Sequence, residues 1–96
     1  MVIQSVLKRL IMTNSKILFF SSNTCEPCKL VKSRLSKKMI SELNIEIFSD
    51  CDWDMFVTHD VQTVPTFIKI DLKSNKETNR LVGYKNFFLS AFLLLF

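Results

Sequence analysis

The sequence predicts an α/β fold in which one mixed four-stranded sheet carries helices on both faces, and three observations lead there. Short apolar runs of strand type alternate with stretches whose apolar residues recur at every third or fourth position. The last two strand-type runs are separated only by a short turn, so they must be antiparallel, whereas strands separated by helices are expected to lie parallel. Finally, 96 residues of which 48% are hydrophobic suffice for one buried core, which makes residues 1–96 a single domain.

Each element has its own local signal. Val2, Ile3, Val6, Leu7, Leu10 and Ile11 form a stripe repeating every four residues, the pattern of a first helix laid on the sheet. The first 25 residues contain no Asp or Glu and have the basic, amphipathic look of an organelle leader. The next strand starts so early that little room is left for one, and Lys8 and Arg9 interrupt any secretory apolar stretch. Residues 16–21 (KILFFS) read as the first strand, with Asn23 and Thr24 as turn or cap residues. After Pro27, the stripe Cys28, Val31, Leu35, Met39 and Leu43 predicts one long helix. Residues 44–49 (NIEIFS) read as a second strand and 52–59 as a short helix with Trp53, Phe56 and Val57 on one side, Trp53 in helix packing or at the surface. Residues 63–70 read as a third strand, Ser74 and Asn75 as a turn, 78–82 as a fourth strand, and the chain from Asn86 as a last helix.

The chemistry concentrates in Thr24-Cys25-Glu26-Pro27-Cys28-Lys29. Two thiols three positions apart where a strand runs into a helix can form and break a disulfide. Pro27 is expected at the first helical position, where proline is preorganised and the N–H it lacks has no partner. Cys25 is therefore expected at or beside the N-cap, with Cys28 in the first turn. Unpaired N–H groups and the positive end of the helix dipole favour a thiolate at Cys25. A thiol of ordinary pKa, about 8.5, is only slightly ionised at neutral pH, whereas one lowered to about 7 is half ionised. Cys25 is thus the expected nucleophile, although the carboxylate of Glu26 beside it pushes the other way.

Other uses of the motif are weaker. A purely structural disulfide across so short a loop would contribute only about 2 kcal/mol. Zinc would need Cys25, Cys28, Cys51 and His59, but the last two do not form the second compact pair of a zinc module. No metal and no organic cofactor is expected. Three cysteines, an odd number, do not make a secreted disulfide framework, so a reducing, cytoplasmic setting is expected. Richness in Lys, Ile, Phe, Leu and Asn with one Gly hints at an AT-rich genome, such as that of a large DNA virus acting in a host cell. The net charge of +4 gathers on Lys29, Lys32, Arg34, Lys37 and Lys38. That face reads as solvated, or as a flank steering acidic partners. It lacks the interleaved aromatics of a nucleic-acid surface.

With these motifs in place, the chain resembles the thioredoxin family. The Cys-Glu-Pro-Cys motif lies between a strand and a helix and is followed by Lys29. The segment 61–67 (VQTVPTF) resembles the stretch that holds the family's cis-proline, and 80–83 (RLVG) its last strand and glycine. The similarity spans about residues 17–92. It implies that Pro65 is cis and lies against the cysteines, and that the Val64 backbone pairs with a substrate peptide as an added strand.

The departures are equally specific. Thr24 stands where the family usually has Trp and Glu26 where it has Gly, so the substrate-docking surface around Thr24 and Glu26 should differ in shape and charge. Phe19 occupies the position of the family's buried aspartate, which helps deprotonate the second cysteine. Glu46, aligned with a lysine that often pairs with that aspartate, is the candidate replacement base if buried, with a solvent-facing Glu46 as the competing reading. Cys51 is expected to be a small buried residue, and His59 to lie in helix packing or at the surface. Residues 87–96 (FFLSAFLLLF) are apolar all round but too short to cross a bilayer, which takes about 20 residues. They read as a core helix with surplus apolar surface for self-association or a partner.

The resemblance implies a thiol–disulfide oxidoreductase that reduces disulfide-bearing proteins. Cys25 attacks, Cys28 resolves, and thioredoxin reductase or glutathione supplies the electrons. Two alternatives stand beside it. One is a glutaredoxin-like, glutathione-dependent enzyme, for which the usual motif and paired glycines are absent. The other is a redox-weak binding module that keeps only the fold.

Overall fold

A computed structural model of the chain describes residues 15–83. The expected first helix, the last helix and the apolar segment 87–96 lie outside the described residues. Those described form β1 (Ser15–Phe20), α1 (Glu26–Arg34), α2 (Lys37–Glu42), β2 (Ile45–Phe48), α3 (Trp53–Thr58), β3 (Thr66–Asp71) and β4 (Lys76–Val82). The four strands make one mixed sheet in the order β2-β1-β3-β4.

β1 is central, and the run Ile17, Leu18, Phe19, Phe20 is buried throughout, as a strand covered on both faces requires. Alternation sends its side chains to two cores. Ile17 and Phe19 join Val31, Leu35, Ile45 and Phe67 on one face, under α1 and α2, with Met39, Ile40, Leu43 and Leu81 around them. Leu18 and Phe20 join Phe48, Val61, Ile68 and Ile70 on the other, where Met55 and Phe56 of α3 and Val64 pack. Phe19 stacks on its register partner Phe67 with ring centroids 4.4 Å apart. Phe20 stacks on Phe48 at 5.2 Å and meets Phe56 edge-on at 5.0 Å. Helices therefore do cover both faces.

Three expectations need correction. The long helix after Pro27 is two helices: Leu35 is extended, and the Ser36 hydroxyl accepts the Met39 N–H at 3.1 Å as the N-cap of α2. A serine that can cap a new helix competes with continuing the old one. The apolar stripe survives the break because Leu35 still turns into the core.

The second correction concerns strand direction. β1 and β2 are parallel, but β3 runs antiparallel to β1 although a helix precedes it. The reason is length: the six residues of α3 advance the chain about 9 Å, whereas the six of β3 span about 20 Å. α3 cannot return the chain to the far edge of the sheet, so β3 re-enters from the edge where β2 ended. The third correction is on α3 itself, where Trp53 and Val57 are 69% and 61% exposed and Met55 and Phe56 face the core instead. The β3–β4 turn is as expected. Asn75 takes φ of 57°, and the Asp71 carboxylate accepts from the Ser74 N–H and hydroxyl.

Candidate active site

Topology brings two loops to one edge of the sheet. β1 ends at Phe20, whose register partner is Thr66, the first residue of β3. The chain leaving β1 toward Cys25 and the chain arriving from Pro65 are thus neighbours. Ser21, fully buried, continues β1 by donating its N–H and its hydroxyl to the Phe48 carbonyl, both at 2.9 Å.

The loop that follows is folded by short polar contacts. The Cys25 N–H donates to the Ser22 carbonyl at 3.2 Å, and the Thr24 N–H to the Ser22 hydroxyl at 3.3 Å. The Asn23 N–H reaches across to the Asp50 carboxylate at 3.0 Å. Hydrogen bonding from Ser22, and then from the Asn23 N–H, holds the Asp50 carboxyl below its ordinary range. Asp50 is thus a part of the site that sequence reasoning passed over. An acidic turn residue is too common to single out.

Cys25 is the N-cap of α1, and its sulfur accepts the Cys28 N–H at 3.2 Å. Glu26 is the first helical residue and Pro27 the second, one step later than expected but still within the first turn, where proline is tolerated. Cys25 and Cys28 are joined as a disulfide with Cα atoms 5.2 Å apart. The two sulfurs are inequivalent in their access to solvent: Cys28 is 0% exposed, whereas Cys25 is half-buried at the rim. Thr24 and Glu26 are both exposed beside Cys25, and Glu26 pairs with Lys29 at 3.2 Å.

On the opposite side, the Val64–Pro65 peptide bond is cis, as the resemblance implied. Pro65 is buried, and its carbonyl accepts the Gly83 N–H at 2.8 Å, with Gly83 at φ 85°, a conformation that favours glycine. Thr66 closes the turn by donating its hydroxyl to the Thr63 carbonyl at 2.6 Å. Among the described residues no hydrogen bond engages the Val64 backbone.

Glu46 takes the solvent-facing one of its two expected placements, and Cys51 departs from the burial expected of it. Glu46 is exposed and forms an ion pair with Lys16, drawn toward the end of β1 away from the cysteines. The burial that its role as a base required is absent. Cys51 is exposed, not a buried apolar residue, and its thiol lies 3.8 Å from the Ser49 hydroxyl. It sits in the tight turn after β2, where the Asp52 carboxylate takes the Ser49 N–H and a side chain at position 51 has no core to enter. Among the described residues the only buried polar side chains are Ser21 and Thr66, so no carboxylate lies beneath Cys28. Phe19, aligned by the resemblance with the family's buried acid, is a fully buried ring. His59 is half-buried with its ring 5.9 Å from that of Phe20. No three His, Cys, Asp or Glu among the described residues gather closely enough to hold a metal ion. No described helix is long and apolar enough to cross a membrane.

The sequence matches no protein-family model and no curated protein. Solved structures do match. Thioredoxin from Fasciola hepatica is 25% identical, with a TM-score of 0.61 over 84% of this chain and 82% of its own. Thioredoxin f2 from Chlamydomonas reinhardtii is 17% identical, with a TM-score of 0.66 over 85% and 75%. Thioredoxin f2 in complex with ferredoxin:thioredoxin reductase matches at 17% identity, with a TM-score of 0.64 over 85% of this chain and 74% of that one. The last two carry the fold alone. A thioredoxin fold with a bonded cysteine pair supports thiol–disulfide oxidoreductase chemistry in general. Fold, cysteine pair and structural neighbours are consistent with a thioredoxin-family protein.

Proposed function

We propose that the protein reduces disulfides in other proteins through Cys25 and Cys28. The observation that carries this reading is the asymmetry of the pair: one sulfur at the rim, one fully enclosed. In the reduced protein, the Cys28 N–H that now meets the Cys25 sulfur at 3.2 Å, together with the start of α1, stabilises a Cys25 thiolate. That thiolate attacks one sulfur of the substrate disulfide, the substrate S–S bond breaks, and one substrate thiol is released after taking a proton. Cys28, deprotonated, then attacks the Cys25 sulfur of the mixed disulfide. The second substrate thiol leaves with a proton, and the Cys25–Cys28 disulfide forms. Two electrons have passed to the substrate, and a reductase of the thioredoxin type or glutathione restores the dithiol.

In this reading Thr24 and Glu26, which flank Cys25 in the chain, and the Val64 backbone on the neighbouring loop form the docking surface for the substrate peptide. With no carboxylate beneath Cys28, its proton passes to the departing substrate thiolate or to water. The resolving step is therefore expected to be slower than where a buried acid assists. The setting that suits this chemistry is a reducing intracellular compartment.

Turnover of an interchain protein disulfide, such as that of insulin, tests the reading, with NADPH plus thioredoxin reductase in one arm and glutathione in the other. Cys25→Ser should abolish it, and Cys28→Ser should accumulate the mixed disulfide. Glutathione-only turnover would make the chain glutaredoxin-like. No turnover in either arm would leave a binding module, the reading that Phe19 in the place of the buried acid favours.

A further inference from the structure

The loop that carries Val64 and Pro65 is tied at one end to β4 and at the other to Gly83, the residue that follows that strand. At its far end, α3 finishes at His59 and Asp60, and Asp60 takes φ of 51°. Carbonyls at a helix C-terminus have no partner within the helix and lie at the negative end of its dipole. Here they meet a guanidinium from another strand. Arg80 Nη2 donates to the His59 carbonyl at 2.7 Å, and Nη1 to the Asp60 carbonyl at 3.1 Å. The other edge of the same guanidinium is held in a fork by Glu77, with Nε to Oε2 at 2.8 Å and Nη2 to Oε1 at 2.7 Å. At its near end, the loop is tied by the Gly83 N–H to the Pro65 carbonyl at 2.8 Å. Between these ties, Val61 is buried with its N–H on the Phe56 carbonyl at 2.9 Å, while Gln62 and Thr63 are exposed.

We propose that Arg80, oriented by Glu77, is a positioning residue for the Val64 backbone and so governs how tightly a substrate peptide docks, without acting on the sulfur chemistry. This rests on the docking role given above to Val64. Arg80 touches neither cysteine in the bonds it makes. Its effect is to cap α3 across the sheet and fix where the loop begins, five residues before Pro65. The planar fork matters, because one face satisfies a carboxylate while the other satisfies two carbonyls, which an ammonium cannot do in one fixed geometry.

Two measurements on the full chain test it. In amide hydrogen exchange of the oxidised protein, Arg80→Met should speed exchange of the Val61 and Gly83 amides about tenfold, the scale of a lost charge-assisted hydrogen bond. The Lys29 and Met39 amides, bonded within the cysteine side of the molecule, should be unchanged. Arg80→Lys should lie between wild type and Arg80→Met, and carries the same test should the methionine variant not fold. Unchanged exchange at Val61, or equal acceleration at all four amides, overturns the proposal. In disulfide reduction, Arg80→Met should raise KM for a protein disulfide about tenfold, with kcat and the pH profile of Cys25 alkylation unchanged. A fall in kcat or a shifted alkylation profile at constant KM overturns it equally. If the wild-type chain reduces no protein disulfide, the proposed function fails, and hydrogen exchange alone then decides whether Arg80 positions the loop.

Discussion

The two loops at the site are held by opposite chemistry. The cysteine loop enters the N-terminus of α1, and its exposed groups are N–H donors. It is gripped by a carboxylate, Asp50, which accepts the Asn23 N–H. The proline loop leaves the C-terminus of α3, and its exposed groups are carbonyls. It is gripped by a guanidinium, Arg80. At the end of α3 the unpaired carbonyls call for a cation, whereas before α1 a turn N–H at Asn23 is met by an anion, so the site uses an anion on one wall and a cation on the other. The two anchors also differ in support: Arg80 is held in a fork by Glu77, whereas Asp50 is exposed and feels Lys32 only as a weaker charge.

The largest effect is expected where the two walls share a floor. Phe19 of β1 stacks on Phe67 of β3, joining the two strands whose adjacent ends carry the loops. Phe19→Ala should cost about 3–5 kcal/mol, measured by denaturant unfolding, and should loosen both walls together. A loss confined to one loop in hydrogen exchange would break the picture of a common floor.

Next comes the guanidinium anchor. Arg80→Met should cost about 1–2 kcal/mol after allowing for its partial exposure, and the cost should be largely absent from Glu77→Gln. In that variant the carbonyls keep their donor. Equal losses in the two variants would mean that the ion pair, not the capping of α3, is what stabilises the fold.

The smallest effect separates the two anchors by pH. The Asp50 and Glu77 carboxyls are both held below their ordinary values of 3.8 and 4.5, chiefly by hydrogen bonds from Ser22 and Arg80 respectively. A lowered folded-state pKa gives stability that is complete above the unfolded value and is lost as pH falls through the folded one. Acid should therefore release Asn23 from Asp50. It should leave the bonds from Arg80 to the His59 and Asp60 carbonyls intact, because the guanidinium does not titrate. Amide chemical shifts followed below the ordinary carboxylate range should move at Asn23 before Val61. The reverse order would contradict the assignment of the anchors.

Much of this architecture could be read before any coordinates. Phe19 and Phe20 announce a strand buried on both faces, Pro27 and the cysteines a helix start, and Ser74 and Asn75 a turn. The cis bond at Pro65 and the glycine that meets it were implied by the resemblance, through segments 61–67 and 80–83. What could not be read was of another kind. Ser36 looks like any polar helix residue until its hydroxyl is seen on Met39. Trp53, Phe56 and Val57 look like one side of a helix until Met55 and Phe56 are seen to take the core face. Cys51 looks like a buried thiol until the turn after β2 is seen to leave it outside. Glu46 needed burial to act as a base, and its pair with Lys16 across two strands decided against that.

The division follows the range of the interactions. Turns, strand alternation and the cysteine spacing are decided by residues a few positions apart, so the sequence by itself determined the four strands, their order and the pairing of Cys25 with Cys28 at a helix start. Asn23 meets Asp50 across 27 positions and Arg80 meets His59 across 21. Such pairs leave no periodic or compositional mark, because any exposed Asp or Arg satisfies the local pattern equally well. Only the folded sheet, by setting the end of β1 beside the start of β3, decided which charge would hold which wall of the site.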